Sequence, residues 1–176
     1  IVYGNVTTAI NFDNAATTPP FVSVMKRING FMPWYSSVHR GAGYKSIYTS
    51  NMYEQSRDIV KQFVNADPLK HTVIFVKNTT EAINKLSYRS CKASKDNIVL
   101  STCMEHHSND LPWRDKYTVK YIDLDSYGRL DLNDLENKLE KYKDKVKLVT
   151  ITGASNVTGY VTPIHKVAKI VHRYGS

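Results

Sequence analysis

The chain has 176 residues, of which 41% are hydrophobic, and this is the size and composition of a single globular domain. Its formal net charge is +8, but lysines alternate with acids, as in residues 135–147, so we expect a solvated surface rather than a nucleic-acid-binding face. No apolar run approaches the about 20 residues that cross a membrane, and no signal peptide opens the chain, so we expect a cytoplasmic protein without a membrane partner.

The first 45 residues differ from the rest of the chain because loop-forming residues interrupt any regular pattern. Among them are Pro19, Gly41 and Gly43. We predict that residues 1–45 form a wrapping segment with one short helix near residues 20–30.

Strand and helix patterns alternate from residue 46 onward. Short apolar runs rich in β-branched residues predict four buried strands, at 71–76, 96–102, 118–124 and 145–152. Amphipathic patterns predict helices at 46–65, 79–90 and 131–142, the last with Asp131 as its cap, and a fourth with Thr162 as cap, Pro163 at its first position and Gly175 as its stop. This alternation predicts a mostly parallel sheet with right-handed crossovers.

Three polar loops follow the predicted strands, at 77–82, 103–109 and 153–159. The carboxyl ends of parallel strands meet at one edge of a sheet, and this edge is where α/β proteins bind ligands. We therefore expect the three loops to share one edge.

The first loop has the features of an anion site. Asn78 is a plausible helix cap, and Glu81 three residues later completes the spacing of a capping box. Thr79 and Thr80 then lie in the first turn, where backbone N–H groups are unpaired and the helix dipole is positive. A phosphate can bind there, and the alternative is a helix cap without a ligand.

The second loop carries the adjacent pair His106 and His107 behind Glu105. Neighbouring side chains on an extended backbone point to opposite sides, so this pair would chelate one metal poorly. There is no HExxH motif and Cys103 adds little, so we expect no metal site. A histidine here can stack on a flat ring or move a proton, and the alternative is a lone exposed side chain. Cys91 and Cys103 form no CxxC pair, which fits a reducing compartment.

The third loop places Asn156 between two glycines, Gly153 and Gly159. One interpretation is an ordinary polar turn. The other is that the Asn156 side chain reaches the polar edge of a ligand.

Five segments, in order along nearly the whole chain, resemble the class V aminotransferase family and, within it, the branch of cysteine desulfurases and selenocysteine lyases. They are NFDNAATTPP (11–20), SVHRGAGYKS (37–46), NTTEAIN (78–84), MEHHSNDLPW (104–113) and SNVTGYVTPI (155–164). The resemblance implies a fold-type I enzyme that uses pyridoxal 5′-phosphate (PLP). Its fold is α/β, a three-layer α/β/α arrangement with a mostly parallel sheet. On this basis residues 46–176 are a partial PLP-binding large domain that ends before the lysine-bearing half.

The resemblance also implies roles for individual residues. Thr80 and the backbone around Thr79 would hold the PLP phosphate. His106 would stack on the pyridine ring and assist proton transfer, and Asn156 would lie near the O3′ side of the cofactor and the substrate carboxylate. The residues near the substrate entrance would be Asn14, Ala15, His39 and Arg40. Two neighbours would orient His106 or cap the next helix, Glu105 and His107.

The activity implied by the resemblance is the removal of sulfur from cysteine, which leaves alanine. The substrate would be cysteine or selenocysteine, the complete enzyme a homodimer, and a sulfur-acceptor protein a further partner. The family's PLP-binding lysine, the aspartate that pairs with the pyridinium nitrogen and the sulfur-accepting cysteine would all follow Ser176. We therefore expect this chain to be an amino-terminal portion that is inactive alone.

Two departures from the family pattern leave other activities open. Gly43 stands where the desulfurase branch often has a second histidine, and Asn78 replaces a common glycine. The parent could instead be a selenocysteine lyase, a transaminase or a β-eliminase. A different class of function, a non-catalytic remnant or scaffold, also stays open.

Overall fold

The computed structural model describes residues 4, 6, 8–90 and 94–175. The chain divides into two compact units, Ile1–Phe75 and Val76–Ser176. Cys91, one of the two cysteines, lies outside the described residues. None of the described helices has the length and apolar character needed to cross a membrane.

The first unit is built on two helices joined through a short 3-10 turn. They are α1 (Val22–Phe31), the 3-10 turn (Met32–Trp34) and α2 (Tyr44–Phe63). The short helix predicted near residues 20–30 is present, and α2 begins at Tyr44 rather than at residue 46. Thr49 on α2 holds the turn, because its Oγ1 donates to the Trp34 carbonyl O over 3.1 Å and accepts from the Ser36 N–H over 3.0 Å.

The second unit alternates helices and strands. In chain order it contains α3 (Thr79–Arg89), β1 (Ile98–Thr102), α4 (His107–Arg114), β2 (Thr118–Ile122), α5 (Leu132–Tyr142), a 3-10 turn (Lys143–Lys145), β3 (Val146–Val149) and α6 (Ile164–Arg173). The strands form one sheet in the order β2-β1-β3, and both neighbours of β1 run parallel to it. The predicted parallel α/β sheet is therefore confirmed.

The central strand β1 is buried along its whole length, and its side chains alternate between two apolar layers. One face of the sheet packs against α5 and α6, through Leu100, Leu135, Leu139, Val167 and Val171. The other face packs against α4 and the turn after it, through Val99, Trp113 and Tyr117. Full burial of one such leucine contributes about 1.5–3 kcal/mol. Helices thus cover both faces of the sheet, which gives the three layers α/β/α.

Residues 71–76, predicted as a strand, form none in the structure. Ile74 and Phe75 stay 72% and 42% exposed, and the Val73 carbonyl O accepts from Arg57 Nη1 over 2.8 Å. β-branched and aromatic residues favour an extended backbone, but a strand also needs a neighbour whose N–H and C=O groups complete the ladder. No strand of the described part of the chain pairs with this segment, so the prediction is wrong.

The predicted helix termini are confirmed for α5 and only partly for α6. Asp131 caps α5, because its Oδ1 accepts from two N–H groups of the first turn over 2.8 and 3.2 Å. Gly175 follows α6 with a φ of 75°, the left-handed conformation that ends many helices. The cap of α6 is Pro163 and not the predicted Thr162, because the Thr162 side chain is buried and bonds to no N–H group of the helix.

Candidate functional site

The start of α3 contains two N–H groups that are available to a ligand. Asn78 caps the helix, with its Oδ1 accepting from the Glu81 N–H over 2.9 Å. Glu81 Oε2 accepts in turn from the Lys77 N–H over 2.8 Å, one residue before the cap, and not from the cap N–H that the predicted capping box would use. In the part of the chain that the structure describes, the Thr79 and Thr80 N–H groups have no acceptor. They can therefore bind an anion.

A carboxylate stands close to this anion site, but its charge is balanced. Glu81 Oε1 lies 2.9 Å from Lys85 Nζ one turn along the helix. The hydrogen bond from the Lys77 N–H, followed by the one from Lys85, lowers the pKa of Glu81 below its usual 4.5. Glu81 is therefore ionised at neutral pH, and Lys85 offsets the repulsion it would exert on a bound phosphate.

Glu81 is expected to make the stability of the second unit depend on acid pH. Its pKa is lower in the folded state, so its contribution is complete above about pH 4.5 and is lost as the pH falls through the folded value. Glu81→Gln should therefore lose less stability than the wild type on acidification. Guanidinium unfolding of both proteins, at about pH 7 and about pH 3, measures the difference.

The control for this experiment is Glu136→Gln. Glu136 lies on α5 and forms an exposed ion pair with Arg173 on α6. Glu136→Gln also removes one carboxylate but leaves the start of α3 untouched, so it shows how far the loss of a surface charge alone changes stability. Equal losses in the wild type and in Glu81→Gln would contradict the assigned role of Glu81.

His106 ends the loop after β1 and caps α4. Its Nδ1 accepts from the Ser108 N–H over 3.1 Å and lies 2.9 Å from Ser108 Oγ. A neutral imidazole that accepts at Nδ1 carries its proton on Nε2. The cap of this helix is therefore His106 itself and neither Glu105 nor His107, so of the two roles that the resemblance implies for these neighbours only the orientation of His106 is left.

Two cavities of the second unit meet at His106. The first has a volume of about 430 Å³, and its lining includes Thr80, Asn84 and His106. The second has a volume of about 400 Å³, and its lining includes His106, Ser155 and Asn156. The structure thus brings His106 together with Thr80 on one side and with Asn156 on the other. His107 lines both cavities as well.

The loop after β3 presents Asn156 on a tight turn. Buried Ser155 holds the turn, because its Oγ accepts from the N–H groups of Val157 and Thr158 over 3.3 and 3.2 Å. Gly159 closes the turn with a φ of 71°, and its N–H donates to the Ser155 carbonyl O over 2.9 Å. Asn156 is exposed at the top of this turn, so its amide is free to reach a ligand in the cavity.

The four residues predicted at a substrate entrance all lie in the first unit, which also holds their observed contacts. Asn14 Oδ1 accepts from Asn11 Nδ2 over 2.8 Å, within an exposed loop that also contains Ala15. His39 has a φ of 55°, and its N–H donates to Ser50 Oγ over 2.8 Å. The Arg40 carbonyl O accepts from Ser46 Oγ, which ties the loop to α2.

The sequence patterns do not identify two residues that lie close to the predicted site residues. Asn84 lines the cavity of Thr80, and its Nδ2 donates to the Thr80 carbonyl O over 2.8 Å. Its spacing of four residues from Thr80, on one face of a helix, is the signal that could have identified it. Glu54 Oε1 lies 3.0 Å from His39 Nε2, a contact between distant residues that no local pattern indicates.

Known proteins resemble this chain over nearly its whole length. A cysteine desulfurase of Haloferax volcanii is 34% identical over 98% of the chain, and one of Synechococcus elongatus is 32% identical over 94%. The solved apo structure of a cysteine desulfurase from Thermococcus onnurineus superposes with a TM-score of 0.79 at 30% identity, over 94% of the chain. The chain spans 42%, 27% and 42% of these three proteins, respectively.

The family comparison covers both units. The sequence model of the family described as Aminotransferase class-V matches residues 10–176, so the match includes the start of α3, the His106 loop and the Asn156 turn. All five segments on which the resemblance was based lie inside this range. The chain belongs to the class V aminotransferase family.

Proposed function

We propose that this chain is the amino-terminal part of a PLP-dependent cysteine desulfurase, which removes sulfur from cysteine and leaves alanine. The observation that carries the proposal is the cavity lined by both Thr80, whose N–H group can bind phosphate, and the flat ring of His106. The relatives named cysteine desulfurase support this choice of reaction. In this proposal residues 46–176 are part of the PLP-binding large domain and residues 1–45 are a wrapping segment.

The residues present fit the groups of PLP. A phosphate matches the two N–H groups without acceptors at the start of α3, together with the Thr80 hydroxyl. The exposed imidazole of His106 offers a face for the pyridine ring, and the Asn156 amide, which lines the same cavity, offers a donor that would suit the O3′ oxygen. When bound, PLP supplies an electron sink for the substrate amino acid.

The proposed work of the chain's own residues follows from these positions. Thr79 and Thr80 would hold the phosphate through the N–H groups at the start of α3. His106 would offer its imidazole face to the ring, and because its Nδ1 accepts from the Ser108 N–H, Nε2 would be the nitrogen that moves a proton at the substrate. Asn156 orients the O3′ side of the ring and the substrate carboxylate.

The remaining parts of the proposal concern the substrate and partners. Cysteine or selenocysteine is the substrate, with Asn14, Ala15, His39 and Arg40 near the entrance. The complete enzyme is a cytoplasmic homodimer that passes sulfur to an acceptor protein. Glu54 Oε1 lies 3.0 Å from His39 Nε2 and would hold the orientation of this ring.

Titration of the ¹⁵N-labelled chain with PLP, followed by NMR, tests the proposal. We expect the largest chemical-shift changes at Thr79, Thr80, His106 and Asn156. Pyridoxine 5′-phosphate is the second ligand, because it has no aldehyde and cannot react with surface lysines. Pyridoxal, which has no phosphate, should leave Thr79 and Thr80 unchanged.

The contrary outcome is equally clear in this titration. If pyridoxine 5′-phosphate produced no change at these four residues up to about 1 mM, the cofactor assignment would be wrong. A scaffold or non-catalytic remnant would then be the better description of the chain.

A further inference from the structure

We propose that Glu105 is a positioning residue, the centre of a hydrogen-bonded clamp that holds the His106 imidazole in one orientation and one tautomer. The clamp consists of Glu105, Asn109, Thr102, Thr150 and Thr152. The effect of the clamp on cofactor binding rests on the proposed function. Its effect on the His106 imidazole does not, and the first test is made without the cofactor.

The Glu105 carboxylate joins three separate elements. Its Oε1 accepts from Thr102 Oγ1 at the end of β1 over 2.8 Å, and from the Thr152 N–H beyond β3 over 2.7 Å. Its Oε2 accepts from Asn109 Nδ2 on α4 over 2.7 Å. Glu105 and Thr152 are 47 residues apart in sequence, so the carboxylate ties the ends of two parallel strands to one helix.

Asn109 extends the clamp from α4 toward β3. Its Oδ1 accepts from Thr150 Oγ1 over 2.7 Å and from Nε1 of the buried Trp113 over 3.4 Å. Glu105, Asn109 and Trp113 follow one another at intervals of four residues, so they lie on one side of the segment that becomes α4. In the segment MEHHSNDLPW, the four-residue intervals thus align Glu105 and Asn109 with Trp113, whose ring is buried in the core.

In the sequence, His106 lies between Glu105 and Asn109, the two clamp residues that make the most contacts described above. Its carbonyl O accepts from the Asn109 N–H over 2.8 Å, and its Nδ1 accepts from the Ser108 N–H. Glu105 fixes the peptide on one side of His106 and Asn109 fixes the helical turn on the other. The ring itself is exposed and lines both cavities, so the clamp acts on the imidazole through the backbone on either side of it and leaves the ring open to a ligand.

The chemistry of the clamp requires a carboxylate. All three partners of Glu105 are donors, and a carboxylate has acceptor sites for all of them. The amide of glutamine would direct an NH₂ group at one or more of these donors, so Glu105→Gln loses at least one hydrogen bond with almost no change in shape. This substitution therefore isolates the clamp from the packing of the loop.

The test compares wild-type, Glu105→Gln and Thr150→Val chains by NMR of the imidazole nitrogens and by amide hydrogen exchange. In the wild type we expect a single His106 tautomer with an unprotonated Nδ1. In Glu105→Gln we expect averaged nitrogen signals from a mixture of tautomers, and exchange of the Thr152 amide at least tenfold faster. Thr150→Val removes only the contact with Asn109 Oδ1 and should produce the same changes at a smaller size. If Glu105→Gln does not fold, the His106 signals of Thr150→Val decide whether the clamp holds the imidazole.

Asp134→Asn is the matched control, because Asp134 accepts from the Asp123 N–H and from Lys138 Nζ at a distance from the loop. This variant should leave the His106 nitrogen signals unchanged. If Thr152 exchange becomes faster in Glu105→Gln while the His106 signals stay as in the wild type, Glu105 has a purely structural role and the proposal is overturned. Unchanged His106 signals in Thr150→Val would also overturn it.

A second arm links the clamp to the cofactor. Pyridoxine 5′-phosphate should bind at least tenfold more weakly to Glu105→Gln than to the wild type, and with the same affinity to Asp134→Asn. Equal affinity for Glu105→Gln and the wild type would refute the effect on the cofactor. If the wild type did not bind this ligand, the proposed function would fail, whereas the clamp would still be decided by the His106 signals.

Discussion

His106→Ala is expected to lower the turnover of the complete enzyme by at least about 100-fold, the smaller end of what a general acid–base group contributes. The imidazole lies where both cavities meet, its Nδ1 accepts from the Ser108 N–H, and Nε2 is the nitrogen that we propose to act on the substrate. His107→Ala should have a much smaller effect. Single-turnover absorbance changes and kcat, measured for both variants, give the comparison.

The control must separate the loss of the ring from the loss of the α4 cap. Asparagine is among the best helix caps, so His106→Asn should keep the start of α4 and still lack the imidazole. We expect this variant to be as slow as His106→Ala but more stable to guanidinium. Activity near that of the wild type in His106→Asn, or equal losses in His106→Ala and His107→Ala, would show that the ring is not the catalytic group.

Thr80→Val is expected to weaken phosphate binding by about 10- to 100-fold, the equivalent of a hydrogen bond to a charged group. Valine keeps the shape of the side chain, and the contact of Asn84 is with the Thr80 carbonyl, which the substitution retains. The affinities for pyridoxine 5′-phosphate and pyridoxal, measured by titration, separate the phosphate contact from the ring contacts.

Thr79→Val is the neighbouring control, because Thr79 is proposed to act through its backbone N–H. Its affinity for pyridoxine 5′-phosphate should stay within about threefold of the wild type, since no hydrogen bond is removed. If Thr80→Val weakened pyridoxal as much as pyridoxine 5′-phosphate, the start of α3 would not be the phosphate site.

Local features of the fold and of the site are those that the sequence predicts well. The Asn78 and Asp131 caps bond to N–H groups within three residues, so the residue types and their spacing are sufficient to identify them. Apolar runs were likewise sufficient to identify the three strands of the sheet, because helices bury these strands on both faces. The loops after β1 and β3 share one edge because these strands are parallel, whereas the first loop follows no strand and meets His106 only through the cavity that Thr80 lines.

Features that depend on distant partners could not be predicted in this way. The segment 71–76 has the composition of a strand, yet composition does not supply a neighbour for its backbone. Thr162 has the right type for a helix cap, but packing buries its side chain. His39 and Glu54 meet because α2 passes the loop before it, which no pattern within the loop encodes.

The two adjacent histidines illustrate the same division. By itself the sequence determined that the two histidines would chelate one metal ion poorly. Its resemblance to a family implied that His106 contacts the cofactor and that Glu105 and His107 support His106. Only the tertiary structure decided that His106 caps α4 with its Nδ1, which makes Nε2 the nitrogen that we propose for proton transfer. It also decided that Glu105 joins β1, β3 and α4. The reason is physical: a carboxylate is satisfied by whichever donors the fold brings within reach, and one of them comes from Thr152, 47 residues away.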